Sequence, residues 1–327
     1  MRIISTWKRF LLAVSLACGG APLCAAQGLP EVLTAGADHT IKLFNARGVQ
    51  ARAIGAMGER IEQIVPFAIG GETLLASAAA NGKIALWNLR QHRLLLSQEA
   101  HTGGVRLLAV SSKGDRLATW GQDHALRLWQ RTNGKRLAEI AAPNQDLTAL
   151  YFTFNGKTLL GVTKEALLRW SIEESAGKLR LRAEAPTPLS VGKITAVALS
   201  ADGKRLALGT EEAFVALWNL EARCVERKIE VSEFPITAVA WSQDGAWIAA
   251  GDERGNLRLW GPQDGKPRRF LSRTFAKLRC VIFSLDGSTF ITGSEDGTLH
   301  YWDSTKGLVK ARATAHNGAV LSLALAP

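Results

Sequence analysis

An apolar run closed by a tryptophan, once by a phenylalanine, recurs through this chain at nearly even distances, and no other feature constrains its fold so tightly. The closing residues are Phe44, Trp87, Trp129, Trp170, Trp218, Trp260 and Trp302, separated by 43, 42, 41, 48, 42 and 42 residues. The clearest copy runs from Phe283 to Asp303, FSLDGSTFITGSEDGTLHYWD. It holds two runs of alternating apolar and small or polar residues, with Asp286-Gly287 ahead of the first and Asp296-Gly297 between them. Alternation with period two marks strands, and Asp-Gly marks the tight connections between them.

A repeat of this length with room for four short strands is the signature of a propeller blade. Seven copies predict an all-β, seven-bladed β-propeller built of four-stranded antiparallel blades. The endings IALWN at Trp87, LRLWQ at Trp129, VALWN at Trp218, LRLWG at Trp260 and LHYWD at Trp302 resemble those of the WD-repeat β-propeller family. The resemblance covers nearly all of the chain after residue 28. It implies that strands A to D run outward from a central channel in each blade, with the Trp near the end of C.

The first copy, GLPEVLTAGADHTIKLFN, supplies only strands B and C, and Val49 to Gly55 follows as D. It has no inner strand of its own. After the outer strand LVKARAT of the seventh copy comes AHNGAVLSLALAP, which reads as an eighth copy that stops after one strand. That segment is expected to be the missing A strand of the first blade, closing the ring and removing both open sheet edges. The fourth copy is degenerate, and its longer connection SIEESAGKLRLRAEAPTP accounts for the single 48-residue spacing.

Residues 1–26 differ in kind from the repeats. Arg2, Lys8 and Arg9 give a positive start, Phe10 to Ala17 an apolar run too short to span a bilayer, and Leu23-Cys24-Ala25-Ala26 small residues for cleavage. This predicts a secretory signal peptide cut after Ala26, a propeller over 27–327 and a periplasmic or secreted location; an uncleaved anchor or a lipid anchor at Cys18 fits less well. Cleavage removes three basic residues and no acidic one, so the formal charge falls from +11 to +8. Cys18 and Cys24 leave with it, while Cys224 and Cys280 fall in an outermost and an innermost strand of different copies. They are expected to stay unpaired.

His101, Thr119, Asp123 and Trp129 have the composition of a nucleophilic triad. Their spacing fits instead the buried hydrogen-bonded relay of the WD-repeat family, with a His before strand A, a hydroxyl in B, an Asp in the B–C turn and the Trp in C. Each bond there contributes about 1 kcal/mol net. The first copy has Thr34, Asp38 and Phe44, and its His is expected to be His316, four residues before Val320 as His101 is before Val105. The seventh copy keeps Thr292, Asp296 and Trp302 but has Thr274 near the His position. The remaining copies place Asn81, Lys164, Glu212 and Arg254 where the Asp belongs, so they are not expected to form the relay.

Those disagreeing positions, with Lys83, Glu295, His39 and His124, are the residues expected to present a partner-binding rim. His39 and His124 lie on non-adjacent blades, so no metal site is expected, and no cofactor motif is present: neither CxxCH, nor a phosphate-binding glycine loop, nor a zincin sequence. Basic residues gather in the A–B and C–D turns (Arg47, Arg90, Arg93, Lys113, Arg116 and others) and acids at the other end (Asp38, Asp123, Glu165, Glu211, Asp252, Glu253 and others). A basic face can attract acidic proteins and make weak contact with an anionic membrane surface. The sequence therefore predicts an exported, non-enzymatic monomer. It would be a scaffold that binds proteins or peptides, not nucleic acid, on its rim and channel mouth. The alternative is a cofactor-, ligand- or metal-binding propeller acting as an enzyme or sensor.

Overall fold

Each run of alternating residues forms a strand that buries one face against the next blade. The computed structural model describes residues 31–326 apart from 46, 142–145, 176, 263–264, 272–273 and 275, with backbone alone at 267–271. The expected signal peptide lies outside these residues. Seven antiparallel sheets result, and in the third blade Val105–Val110, Arg116–Gly121, Ala125–Gln130 and Arg136–Ala141 follow in order as strands A to D. The A strands touch one another in cyclic order around the ring, which makes the assembly a seven-bladed β-propeller.

The first blade is split. Val320–Leu325 pairs antiparallel with Val32–Gly36, which continues through Thr40–Phe44 to Gln50–Ala56. The same strand packs on Ile61–Ile69 of the second blade and Leu278–Phe283 of the seventh. The two ends of the chain therefore share one sheet, and the ring has no break.

Seven hydrophobic clusters fill the seams, one between each pair of neighbours. Each repeated aromatic packs toward the blade before it: Trp87 against the first, Trp129 against the second, and Phe44 against the seventh. The repeat spacing is thus a seam spacing. Six of the seven copies also carry a β-bulge at this residue, where C meets D. A bulge adds twist, which turns each blade relative to its neighbour.

The fourth blade lacks that bulge, and Trp170 pairs directly with Ala183. Its extra residues extend the C–D hairpin, Ala166–Ser175 with Lys178–Ala183, and then add Thr187–Pro188 back along the start of C. This sheet has five strands where four were expected. Cys224 is exposed and Cys280 half-buried, and both thiols are free.

Candidate functional site

Successive antiparallel strands bring the B–C turns and D–A loops to one end of the ring and the A–B and C–D turns to the other. At the B–C end the third blade assembles its four relay residues. The Trp129 indole N–H donates to Thr119 Oγ1 (2.8 Å), Thr119 meets His101 Nε2 (2.7 Å), and His101 Nδ1 meets Asp123 Oδ1 (2.7 Å). His101 and Thr119 are buried, so these bonds replace water that cannot reach them.

The first blade repeats the arrangement across the chain ends. His316 Nε2 lies 2.8 Å from Thr34 Oγ1, and its Nδ1 lies 2.7 Å from Asp38 Oδ1. Phe44 takes the place of the indole donor.

Two further members were missed in the sequence. Arg127 Nη1 donates to Asp123 Oδ2 (2.6 Å), and Lys42 Nζ donates to Asp38 Oδ2 (3.0 Å). Both also hold a loop carbonyl, of Ala100 and Ala315. Each cation stands four residues after its Asp, and that shared spacing was the available signal.

Glycine makes room for the imidazoles. A Cβ at Gly121 would stand 2.3 Å from ring atoms of His101, and one at Gly36 would stand 2.4 Å from the ring of His316, closer than any real contact. The seventh blade has Ser294 there, buried, and Thr274 instead of His. Thr274 keeps the loop's backbone bond, its N–H donating to Gly255 O as His101 N–H donates to Gly82 O, but its hydroxyl bonds Gly255 O and Ala276 O. Only the Trp302 to Thr292 bond remains of that relay (3.0 Å).

The copies without the Asp behave differently from one another. In the second blade Ser77 still accepts from Trp87 (2.8 Å), donates to Met57 Sδ, and Asn81 bonds Met57 O, so a neutral version of the relay persists there. The fifth blade leaves the Trp218 indole N–H without a partner. In the sixth, Asp252 is buried and holds Ser232, Asn256 and the Arg254 N–H. Asp252 is thus a structural acid and not the rim acid the sequence reading made it. With Asp38 and Asp123 also committed to the fold, the acidic end carries less free charge than its count implies.

The titrating groups have consistent directions. Burial lowers the pKa of His101 and of His316 below 6.5, against the raising effect of their aspartates. Burial would raise Asp123, but hydrogen bonds from Arg127 and His101 reverse it and hold the carboxyl at about 2. Asp38 likewise sits well below the usual carboxylate range through Thr40, Lys42 and His316. All four folded values lie below the unfolded ones, so acid favours the unfolded chain. Their stabilisation is complete above about pH 6.5, starts to fall below it as the histidines of the unfolded chain take protons, and falls again below pH 3.8 as its aspartates do. Melting temperature should decline in these two stages, and the double variant His101→Gln, His316→Gln should flatten the upper one.

Lys83, Lys164, Glu212, Arg254, Glu295, His39 and His124 all stand in or beside B–C turns, distributed over the seven blades. His39 and His124 adopt left-handed backbone (φ 67° and 52°), the place that Gly82 and Gly297 take in other copies. They lie on the first and third blades. Among the described residues no three His, Cys, Asp or Glu stand close enough to hold a metal. At the opposite end Arg116, Arg136 and Arg205 pair with Asp115, Glu139 and Glu226, which neutralises part of the basic face.

Seven blades closed by a split sheet, with buried hydroxyl–indole pairs inside three of them, define a repeat propeller whose most chemical-looking residues hold the fold. The model of the WD domain, G-beta repeat, matches residues 225–261 and 265–303. The chain is thus a seven-bladed β-propeller that carries matches to the WD repeat at these residues. It is similar to the small ribosomal subunit protein RACK1y of Oryza sativa subsp. japonica, 28% identical over 147 residues that cover 45% of this chain and 44% of that protein. MST50-interacting protein 11 of Pyricularia oryzae is 25% identical over 156 residues, 46% of this chain and 48% of the other. The small ribosomal subunit protein RACK1 of Brassica napus is 32% identical over 133 residues, 37% and 40% of the two chains. The chain spans about half the length of the curated relatives it matches.

Proposed function

We propose that this propeller is an exported, non-catalytic scaffold that captures protein or peptide partners on the end of the ring that carries its B–C turns. The observation that carries the reading is the contrast between copies. Where the fold needs the turn, as at Asp38 and Asp123, the residues are locked into relays; elsewhere the same turn position holds Asn81, Lys164, Glu212 or Arg254. A rigid ring whose B–C turns differ from blade to blade presents a mixed polar surface suited to recognising a specific partner. The names of the similar proteins, a ribosomal subunit protein and an interacting protein, support a role in assembly. Export rests on the charge, short apolar run and small residues of 1–26.

Cross-linking in the cell envelope, followed by capture of the full chain, tests the reading. Lys83→Glu, Glu212→Lys and Arg254→Glu should each weaken capture of the cross-linked partner while shifting stability by no more than about 0.5 kcal/mol, as surface changes do. Capture unchanged in all three, or no partner recovered with the parent, would end the proposal. N-terminal sequencing of the exported protein should begin at Gln27.

A further inference from the structure

The seventh blade has a cleft of about 340 Å³ beside the place where its relay is incomplete. Its walls include Thr274, Asp296, Thr298, His300, Arg312 and Thr314. The chain supplies its own comparison for this site. In the first and third blades the relay Asp offers one oxygen to the imidazole and the other to a cation on strand C, Lys42 or Arg127. In the third blade that cation is closed in turn by Glu139 on strand D (2.9 Å).

The seventh blade alters every one of these partners. His300 stands where Arg127 and Lys42 stand, and Arg312, opposite it on strand D, stands where Glu139 does. His300 is 7% exposed, yet its Nδ1 is buried without a hydrogen-bond partner among the described residues. Among the described residues Asp296 accepts only from the Thr298 N–H (3.0 Å) and hydroxyl (2.7 Å), both at Oδ1, which leaves Oδ2 open to them. Asp296 and Arg312 do not pair with each other, although both act electrostatically on His300 between them. An anion, a buried neutral ring and a cation thus line one small cleft, and each retains bonding capacity.

We propose that this cleft binds a small zwitterion, its ammonium on Asp296 and its carboxylate on Arg312, with His300 Nδ1 bonding the polar group between them. The volume is at the small end of ligand pockets, which suits a free amino acid or a dipeptide. An arginine can take a carboxylate through two parallel charge-assisted hydrogen bonds, so Arg312 supplies the matching cation. The chain's own relays show that the Asp of this turn takes a cation at the oxygen left open here. Partner capture on the rim is not required for this binding.

Calorimetric titration of the purified full chain tests it, with each L-amino acid and diglycine as probes. Blocked analogues, N-acetylated or amidated, serve as the comparison. At least one zwitterion should bind saturably, and blocking either end should weaken it about tenfold or more, the scale of one lost charge-assisted hydrogen bond. Binding of single amino acids identifies the free form as the ligand, and binding of diglycine alone identifies the dipeptide. Asp296→Asn and Arg312→Gln should each cause a similar loss while the unliganded melting temperature holds. If no probe binds, if blocked analogues bind equally well, or if both variants bind as the parent does, the proposal is overturned.

Discussion

Deleting residues 316–327 is expected to unfold the entire ring and not merely fray one blade. The segment carries Val320, Leu323 and Leu325, exposed by 0%, 6% and 2%, and each buried side chain of this kind contributes about 1.5–3 kcal/mol. Together that is roughly 5–9 kcal/mol, comparable with the whole net stability of a domain at about 5–15 kcal/mol. The deletion also takes His316 from Thr34 and Asp38, and it exposes the edge of Val32–Gly36. Because this strand packs on both the second and the seventh blade, two seams open at once. A thermal melt followed by circular dichroism should show loss of the cooperative transition. A truncated protein that melts at the parent temperature would refute closure by this strand. Val320→Asp, which keeps the chain length, should reproduce most of the loss.

The second large effect concerns Gly121. Gly121→Ser places a Cβ 2.3 Å from ring atoms of His101, so the imidazole must shift away from Thr119 and Asp123, and buried groups lose their partners. Each such loss costs about 1–3 kcal/mol, giving roughly 2–5 kcal/mol for the variant. The seventh blade has already made the paired change, with Ser294 and Thr274. Adding His101→Thr to Gly121→Ser should therefore cost less than the two single changes summed, with a coupling of about 1 kcal/mol or more. Denaturant melts of the four proteins in this cycle measure it. Strict additivity would mean that the glycine and the histidine do not share space.

Much of this architecture was legible because seam packing repeats in sequence. Trp87, Trp129, Trp218, Trp260 and Trp302 fill equivalent seams, so their spacing counts the blades, and the Thr and Asp offsets identify the relay. Reading failed where two residues had to be paired across strands. Arg127 and Lys42 look like ordinary exposed cations of strand C, and only the fold shows each one capping its Asp and a loop carbonyl. Asp252 looks like a turn acid, but the absence of a His in the preceding loop lets it turn inward onto Ser232. The fourth copy's insertion was visible as length, but its fifth strand depends on a register without the bulge at Trp170.

The sequence by itself determined the strand periodicity, the number of blades, the split first blade and most of the relay, because these follow from period-two burial and from repeated spacing. Tertiary structure alone decided which charges are committed and which are open. Ion pairing depends on distances between strands distant in sequence, and the same residue type can cap a relay in one blade and line a cleft in another. His300 and Arg312 of the seventh blade become a candidate ligand site only when they face Asp296, and that meeting belongs to the fold.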